Sequence, residues 1–199
     1  MIQSPSPKTR QHGYMAVILM GVIVLLLHAR PAAAATTLTG CQRITVSGSY
    51  ILENDISAPS STICFSIRAN DVVFDGNGKT ITVSGADALE VADYSGGAWH
   101  NISVKNLNSN SSVRIYGNDI HQVLFDHLHV SGITNYAGDD VTITNNVVGE
   151  GGVSVSNADL DGWSQLRHID QYNTITGGST DVKILFEVVG GRTIPCRRL

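Results

Sequence analysis

Two adjacent carboxylates, Asp139 and Asp140, are the residues of this chain whose type and spacing come nearest to acid–base chemistry. Paired carboxyl groups can protonate a leaving oxygen and activate a water molecule, which is the chemistry that cleaves a glycosidic bond. The pair follows Gly138 and precedes an apolar-x-apolar triplet, so it also fits a polar turn before a strand. The sequence favours the turn, and Asp139 and Asp140 remain the catalytic candidates.

Two histidines, His127 and His129, alternate with the apolar residues Leu128 and Val130 and should share an outward face. Such a pair can bind a transition metal if a third ligand comes from elsewhere. The chain has no Cys-His spacing of the structural zinc type. The sequence favours solvated imidazoles and predicts no cofactor, and His127 and His129 are the metal candidates.

Aromatic residues fall mostly between the apolar triplets, where we predict loops; they are Tyr94, Trp99, Tyr116, Tyr136 and Trp163. An exposed aromatic ring on the flank of a domain can stack on a sugar ring. The sequence favours the alternative, in which these rings pack a loop onto the domain body. Trp99, Tyr116 and Tyr136 are the candidates for ligand binding.

A short repeat must position all these residues. An acidic, amide or imidazole residue precedes an apolar-x-apolar triplet, and a small polar turn residue follows. The triplets begin at Val72, Ile102, Val123, Val141 and, in a degraded copy, Ile169. These anchors are 30, 21, 18 and 28 residues apart. Period-2 triplets that return at such intervals without helical periodicity predict a β-solenoid.

Side chains two apart on a strand share a face, so the first and third residue of each triplet should point inward. The predicted central stack is Val72, Phe74, Ile102, Val104, Val123, Phe125, Val141 and Ile143. A second apolar pair after each turn predicts a second strand per coil: Ile81 and Val83, Leu128 and Val130, and Val147. The bends between them are predicted at Gly76, Asn106, His127 and Asn145, with left-handed backbone.

Two further stacks follow from the same alignment. Position three after the anchors holds Asp75, Lys105 and Asp126, which predicts an alternating charge ladder on an outer edge of the coils. Two residues before the anchors, His100 and His121 should lie on successive coils.

The N-terminus has the pattern of a secretory signal peptide, predicted over residues 1–35. Lys8 and Arg10 precede a 14-residue apolar or small run from Tyr14 to Leu27, and Ala32–Ala35 offers the cleavage site. The run is short for a transmembrane helix, so no stable membrane span is expected after signal removal. We predict an exported protein that is periplasmic, on the cell surface or extracellular.

Export favours a disulfide between Cys41 and Cys64, since oxidised pairs persist in that compartment. Leu38–Cys41 also looks like a lipoprotein cleavage box, although a lipobox normally abuts the apolar run. Cys196 is the odd thiol, available to a missing segment or to another chain.

Residues 41–176 resemble the right-handed parallel β-helix of the pectin-lyase-like superfamily. The segment Cys64–Gly78 looks like the opening coil of many secreted β-helix proteins, and Asp75–Ile81 matches its DGnGhtI-like motif. The resemblance implies an all-β solenoid of about five coils, with an N-terminal cap over residues 36–63 and repeats over 64–199. No polar cap follows the last apolar run. Two interpretations stay open: the chain is truncated, or its open last coil continues in another subunit.

The charge balance and the missing motifs limit the function. A net charge of −4 with 15% charged residues and no basic stripe argues against nucleic-acid binding. Gly138–Asp140 resembles the paired aspartates of polygalacturonase-like hydrolases, but the remainder of their signature is missing. By analogy, we predict an exported module that binds polysaccharide without catalysis of its own. The alternative is the N-terminal part of a polysaccharide lyase or glycoside hydrolase acting on acidic polysaccharide.

Overall fold

A computed structural model describes residues 34–94, 96–117, 119–136, 138–156, 168–176 and 183–185. The chain divides into two compact units, residues 1–34 and 35–199, and nearly all described residues belong to the second. Residues 1–33 of the predicted signal peptide, Trp163 and Cys196 lie outside the described residues. Within these ranges the chain is all-β, and no helix there is long and apolar enough to cross a membrane.

In the described part of the chain, eighteen short strands form two parallel sheets that stack as a β-solenoid of about five turns. The strands are β1 Thr36–Leu38, β2 Gln42–Ile44, β3 Gly48–Leu52, β4 Ile56–Ser57, β5 Phe65–Ile67, β6 Val72–Asp75, β7 Thr80–Thr82, β8 Leu89–Ala92, β9 Trp99–Lys105, β10 Asn108–Ser109, β11 Val113–Tyr116, β12 Ile120–Asp126, β13 His129–Tyr136, β14 Asp139–Thr144, β15 Val147–Ser156, β16 His168–Gln171, β17 Thr174–Ile175 and β18 Lys183–Leu185. The first sheet has the order β1-β3-β6-β9-β12-β14-β16. The predicted solenoid is confirmed, whereas its handedness and its N-terminal cap remain predictions.

The coils that begin at β6 and β9 contribute a third strand, β8 and β11, that the sequence did not predict, and in the following coil β13 spans the positions of the second and third strands. The second sheet folds around a corner, because β13 pairs with β10 at its start and with β11 at its end. The register of β13 against β15 shifts between Val130 and Gly132, at this corner. Gly151 is needed there, since an added Cβ would lie 2.8 Å from the carbonyl oxygen of Ser131.

The central stack is confirmed at all eight positions, each at most 2% exposed. Phe74 meets Phe65 edge to face, with ring centroids 5.0 Å apart. The second apolar pairs are also buried at Ile81 and Val83 and at Leu128 and Val130. The second strand predicted at Val147 is confirmed as β15, in which Val148 rather than Val147 is buried. Val147 pairs with the outward His129, because Asn146 occupies the inward position at the bend.

The register confirms four of the five anchors. Val72, Ile102, Val123 and Val141 pair in succession along the first sheet. The fifth is wrong, because His168 pairs with Val141 and the predicted anchor Ile169 pairs with Thr142. His100 and His121 are register partners, as predicted.

The corners of the coils rest on residues in the left-handed region. Asn106, His127 and Asn145 have φ of 53°, 53° and 56°, as predicted. The prediction of left-handed backbone at Gly76 is wrong. Its φ is not positive, and the left-handed residues of that turn are Asn77 and Gly78. Gly76 is required for closeness instead, because an added Cβ would lie 2.6 Å from the carbonyl oxygen of Asn106 and from the Cα of Leu107.

The polar residue before each anchor also has a backbone role. Its φ is positive in every case, between 54° and 58°, at Asp71, Asn101, Gln122 and Asp140. Short polar side chains tolerate this conformation better than apolar ones, which explains the residue types in the repeat. Two asparagines hydrogen-bond between coils, as the side-chain amide of Asn146 donates to Oδ1 of Asn173 at 2.9 Å.

The Cys41–Cys64 disulfide is confirmed and joins the loop after β1 to the start of β5. β2 and β3 follow Cys41 and are separated by residues 45–47. β3 pairs in parallel with both β1 and β6, so it continues the stack of the coils.

The charge ladder is in the predicted register. Lys105 pairs with Asp75 on one side and with Asp126 on the other, and its Nζ lies 3.5 Å from Oδ2 of Asp75. Partial burial acts to raise the pKa of Asp75, but hydrogen bonds from Asn77 and Asn106 and the charge of Lys105 lower it overall. The pKa of Asp126 is also lowered, because hydrogen bonds from Asn145 and His127 outweigh burial.

We expect Lys105→Glu to destabilise the domain more than Lys105→Gln, because three acids would then lie in one row. The extra loss of unfolding free energy is about 0.5 kcal/mol at an exposed site. Urea unfolding at about 10 mM and about 1 M salt checks this, since the screening length falls from about 30 to about 3 Å. Equal midpoints for the two variants at low salt would contradict the ladder.

Candidate ligand-binding surface

The second sheet carries two neighbouring columns of outward residues. Parallel register places one residue from each coil directly beside the next across the strands. The first column includes Arg43, Ser66, Glu90, Arg114 and Thr134. The second column contains Ala92, Tyr116 and Tyr136. Apart from Arg43 on β2, the columns are formed by β5, β8, β11 and β13, the strands that the sequence did not predict as a repeat.

Three tyrosines form a continuous row across the coils, which we call the tyrosine row: Tyr94, Tyr116 and Tyr136. The ring centroids are 5.3 Å apart for the first pair and 6.0 Å for the second. Tyr94 follows β8 by two residues, and its ring contacts that of Tyr116, the register partner of Ala92. The three residues are 50, 45 and 39% exposed, so the row presents aromatic surface to solvent.

A buried carboxylate lies beneath the first ring of the row. Glu90 is only 2% exposed, although it points outward from β8. Its Oε2 accepts hydrogen bonds from the Tyr94 hydroxyl at 2.8 Å and from Nη2 of Arg114 at 3.0 Å. Nη2 of Arg68 lies 3.8 Å from the other carboxylate oxygen. A buried acid requires such partners, because an unpaired charge there is costly.

The two arginines connect the buried carboxylate to the rings. Nη1 of Arg114 lies 3.0 Å from Asp87, and its guanidinium is 5.7 Å from the ring centroid of Tyr116. The guanidinium of Arg68 lies 4.9 Å from the ring centroid of Tyr94. Both distances suit cation–π attraction, which holds the rings in place. We call Arg68, Asp87, Glu90 and Arg114 the charge cluster.

The charge cluster shifts the pKa of three groups. Burial and the charge of Glu90 raise the pKa of Asp87 against the opposing effect of Arg114. Burial and the hydrogen bond to Glu90 raise the pKa of Tyr94, so its phenol stays protonated. Burial acts to lower the pKa of Arg114, but Glu90 and Asp87 raise it overall. The cluster combines two basic and two acidic side chains.

The structure separates the predicted ligand-binding residues. Tyr116 and Tyr136 come together in the tyrosine row, whereas Trp99 is half-buried and its indole N–H donates to the carbonyl oxygen of Ala92 at 2.9 Å. The prediction that these aromatics lie in loops is wrong, because Trp99 begins β9 and the two tyrosines end β11 and β13.

Asp139 and Asp140 lie at the start of β14, on the first sheet, shortly after Tyr136 at the end of β13. Asp140 has a φ of 57°, and its N–H donates to Oδ1 of Asp139 at 2.8 Å. Asp139 pairs with His121, whose Nδ1 is 3.9 Å from Oδ2 of Asp139. The pair thus forms a coil corner, and a catalytic role stays a prediction.

His127 and His129 are exposed on either side of the buried Leu128. Nδ1 of His127 lies 2.9 Å from Oδ1 of Asp126. Among the described residues, no three His, Cys, Asp or Glu side chains are grouped closely enough to hold a metal ion. The metal-binding role of His127 and His129 therefore stays a prediction.

Sequence reasoning missed Glu90, Arg114 and the alignment of the tyrosines. A signal was present, since apolar-x-apolar triplets begin at Phe65, Leu89 and Val113, 24 residues apart each time. A fourth segment of this kind begins at Ile133, within β13. Tyr116 and Tyr136 each come three residues after the start of their segment. These triplets lack the acidic, amide or imidazole residue that precedes the triplets of the first sheet.

No protein-family model matches this chain, and neither a curated protein nor a solved structure matches it.

Proposed function

We propose that this protein is an exported carbohydrate-binding module of the right-handed, pectin-lyase-like β-helix type, and that it has no catalytic activity of its own. Its ligand surface is the tyrosine row. The observation that carries the proposal is the row itself: three exposed rings on successive levels of the solenoid, held in place by the charge cluster. The Cys41–Cys64 disulfide supports an oxidising compartment.

Exposed tyrosines of this kind suit a ligand with both apolar and polar faces. A tyrosine offers a flat apolar ring and a hydroxyl, at a low cost in side-chain entropy on binding. A sugar ring has a C–H face and a rim of hydroxyl groups, so it matches both parts of the side chain. A row of rings across the coils then binds several sugars of one chain.

Binding to a glycan and polysaccharide array, with product formation scored on the same samples, tests this function. We expect a set of bound glycans without reducing or unsaturated ends above a heat-inactivated control. Release of such ends, lost in Asp140→Asn, would support the alternative, the N-terminal part of a polysaccharide lyase or hydrolase.

We expect Tyr116→Ala to weaken binding to the array ligands about tenfold, because the central ring contacts its neighbours on both sides. Tyr172→Ala is the matched control, since Tyr172 is 82% exposed but lies at the corner after β16. Isothermal titration calorimetry of both variants measures the difference. Equal losses in the two variants would contradict the tyrosine row as the binding surface.

A further inference from the structure

We infer that the ligand of the tyrosine row is an uncharged, extended glycan that lies along the solenoid axis and crosses the strands. This inference rests on the proposed function, and it adds the charge, the shape and the direction of the ligand. Three observations carry it: the balanced charges of the cluster, the orientation of its arginine donors, and the direction of the row.

The charge of the surface comes first. Arg68 and Arg114 contribute two positive charges, and Asp87 and Glu90 contribute two negative charges. The charge cluster itself therefore carries no net formal charge, whereas surfaces that recognise acidic ligands present unpaired positive charge. An acidic polysaccharide would bring its carboxylates toward Asp87 and Glu90, and like charges placed together oppose binding.

The terminal nitrogens of Arg114 are already in use, and its Nε is buried without a hydrogen-bond partner among the described residues. Both terminal nitrogens of Arg114 contact protein groups: Nη1 contacts Asp87 at 3.0 Å, and Nη2 contacts Glu90 at 3.0 Å and the Tyr94 hydroxyl at 3.1 Å. Nε of Arg68 donates to the Ser66 hydroxyl at 3.0 Å. A ligand carboxylate that sought a two-pronged contact with Arg114 would have to displace these partners. Hydroxyl groups, which both donate and accept, can instead join the rim of the existing network.

The direction of the row fixes the shape of the ligand. Tyr116 and Tyr136 are register partners on neighbouring coils, so the row runs across the strands and along the axis of stacking. A ligand that contacts all three rings must be extended and must present a similar apolar face at each step. A linear chain of similar sugars meets both requirements, whereas a single monosaccharide covers one ring only.

Matched pairs of hexasaccharides test the inference: galacturonan, glucuronan and mannuronan hexamers, each beside its carboxyl-reduced neutral counterpart. We expect at least one neutral hexamer to bind, with an affinity that changes little between low and high salt. Its acidic partner should bind about tenfold more weakly at low salt. Tighter binding of the acidic member of the pair, weakened by salt and lost in Tyr116→Ala, would overturn the inference and leave the proposed function intact. Binding of no hexamer in any pair would overturn both.

Asp87→Asn provides a second, independent readout. The substitution keeps the shape of the side chain and leaves Glu90 and Arg114 in place, but it gives the surface one net positive charge. We expect the affinity for the acidic hexamer, relative to that for the neutral hexamer, to rise about threefold. An unchanged ratio between the two affinities would contradict rejection of acidic ligands by the charge cluster.

Discussion

Arg114→Met is expected to lower the free energy of unfolding by about 3 kcal/mol, because it removes one partner of a buried ion pair. Glu90 is 2% exposed and would lose its 3.0 Å contact with Nη2. Arg68 remains nearby, which places the loss at the lower end of the range for such pairs. Urea unfolding at neutral pH measures the change.

The control is Thr134→Ala, in the same column on the following coil. It should cost less than about 1 kcal/mol, because no charge is left behind. A loss for Arg114→Met no larger than that of the control would contradict the account of Glu90 as a dependent buried charge.

The pH dependence of Arg114→Met gives a second signature. The pKa of Asp87 already lies above its ordinary value, and Arg114 is the group that lowers it. Without Arg114 the pKa of Asp87 rises further in the folded state, so the folded protein favours the protonated acid more. The contribution of Asp87 to stability is then fully present below its unfolded pKa and lost as the pH rises through its folded pKa. The deficit of the variant should therefore be smaller at acidic than at neutral pH.

Phe74→Ala is expected to destabilise the domain by about 3–5 kcal/mol, the usual range for deletion of a buried aromatic side chain. Phe74 is fully buried and packs edge to face against Phe65, so the substitution leaves a cavity and removes a ring pair. Thermal and denaturant unfolding of the variant measure the loss.

Val73→Ala, one residue earlier on the same strand, is the control for Phe74→Ala. Val73 is 37% exposed and should lose less than about 1 kcal/mol. Similar losses at the two positions would mean that β6 does not present alternate residues to the core.

The first sheet was predictable because its signal is local. Each triplet has its own alternation of apolar and polar residues, and the polar residue before it marks the corner of the coil. These two signals together identify the anchors Val72, Ile102, Val123 and Val141. The fifth repeat could not be aligned, since His168–Asp170 holds one apolar residue. Side chains on a strand alternate with a period of two, so a single apolar residue does not distinguish the correct alignment from one shifted by one residue.

The charge cluster was not predictable, because the burial of Glu90 depends on other coils. The sequence of β8 gives no reason to expect a buried acid. Glu90 is covered by the side chains of Tyr94, Arg68 and Arg114. The role of Gly76 was hidden for a related reason. The sequence does not distinguish a glycine that is needed for a positive φ from one that is needed because the next coil packs closely against it.

The spacing of the coils also determines how the chain can fold. Register partners in the first sheet are 30, 21 and 18 residues apart at Val72–Ile102, Ile102–Val123 and Val123–Val141. Every inter-coil contact there closes a loop of similar length, so the entropic cost of adding a coil changes little along the stack. Folding can therefore start at any neighbouring pair of coils and propagate in both directions, as in a linear chain of coupled units. Of these three steps, the 18-residue one closes the shortest loop, so among the coils that carry the anchors the pair with Val123 and Val141 costs least to bring together.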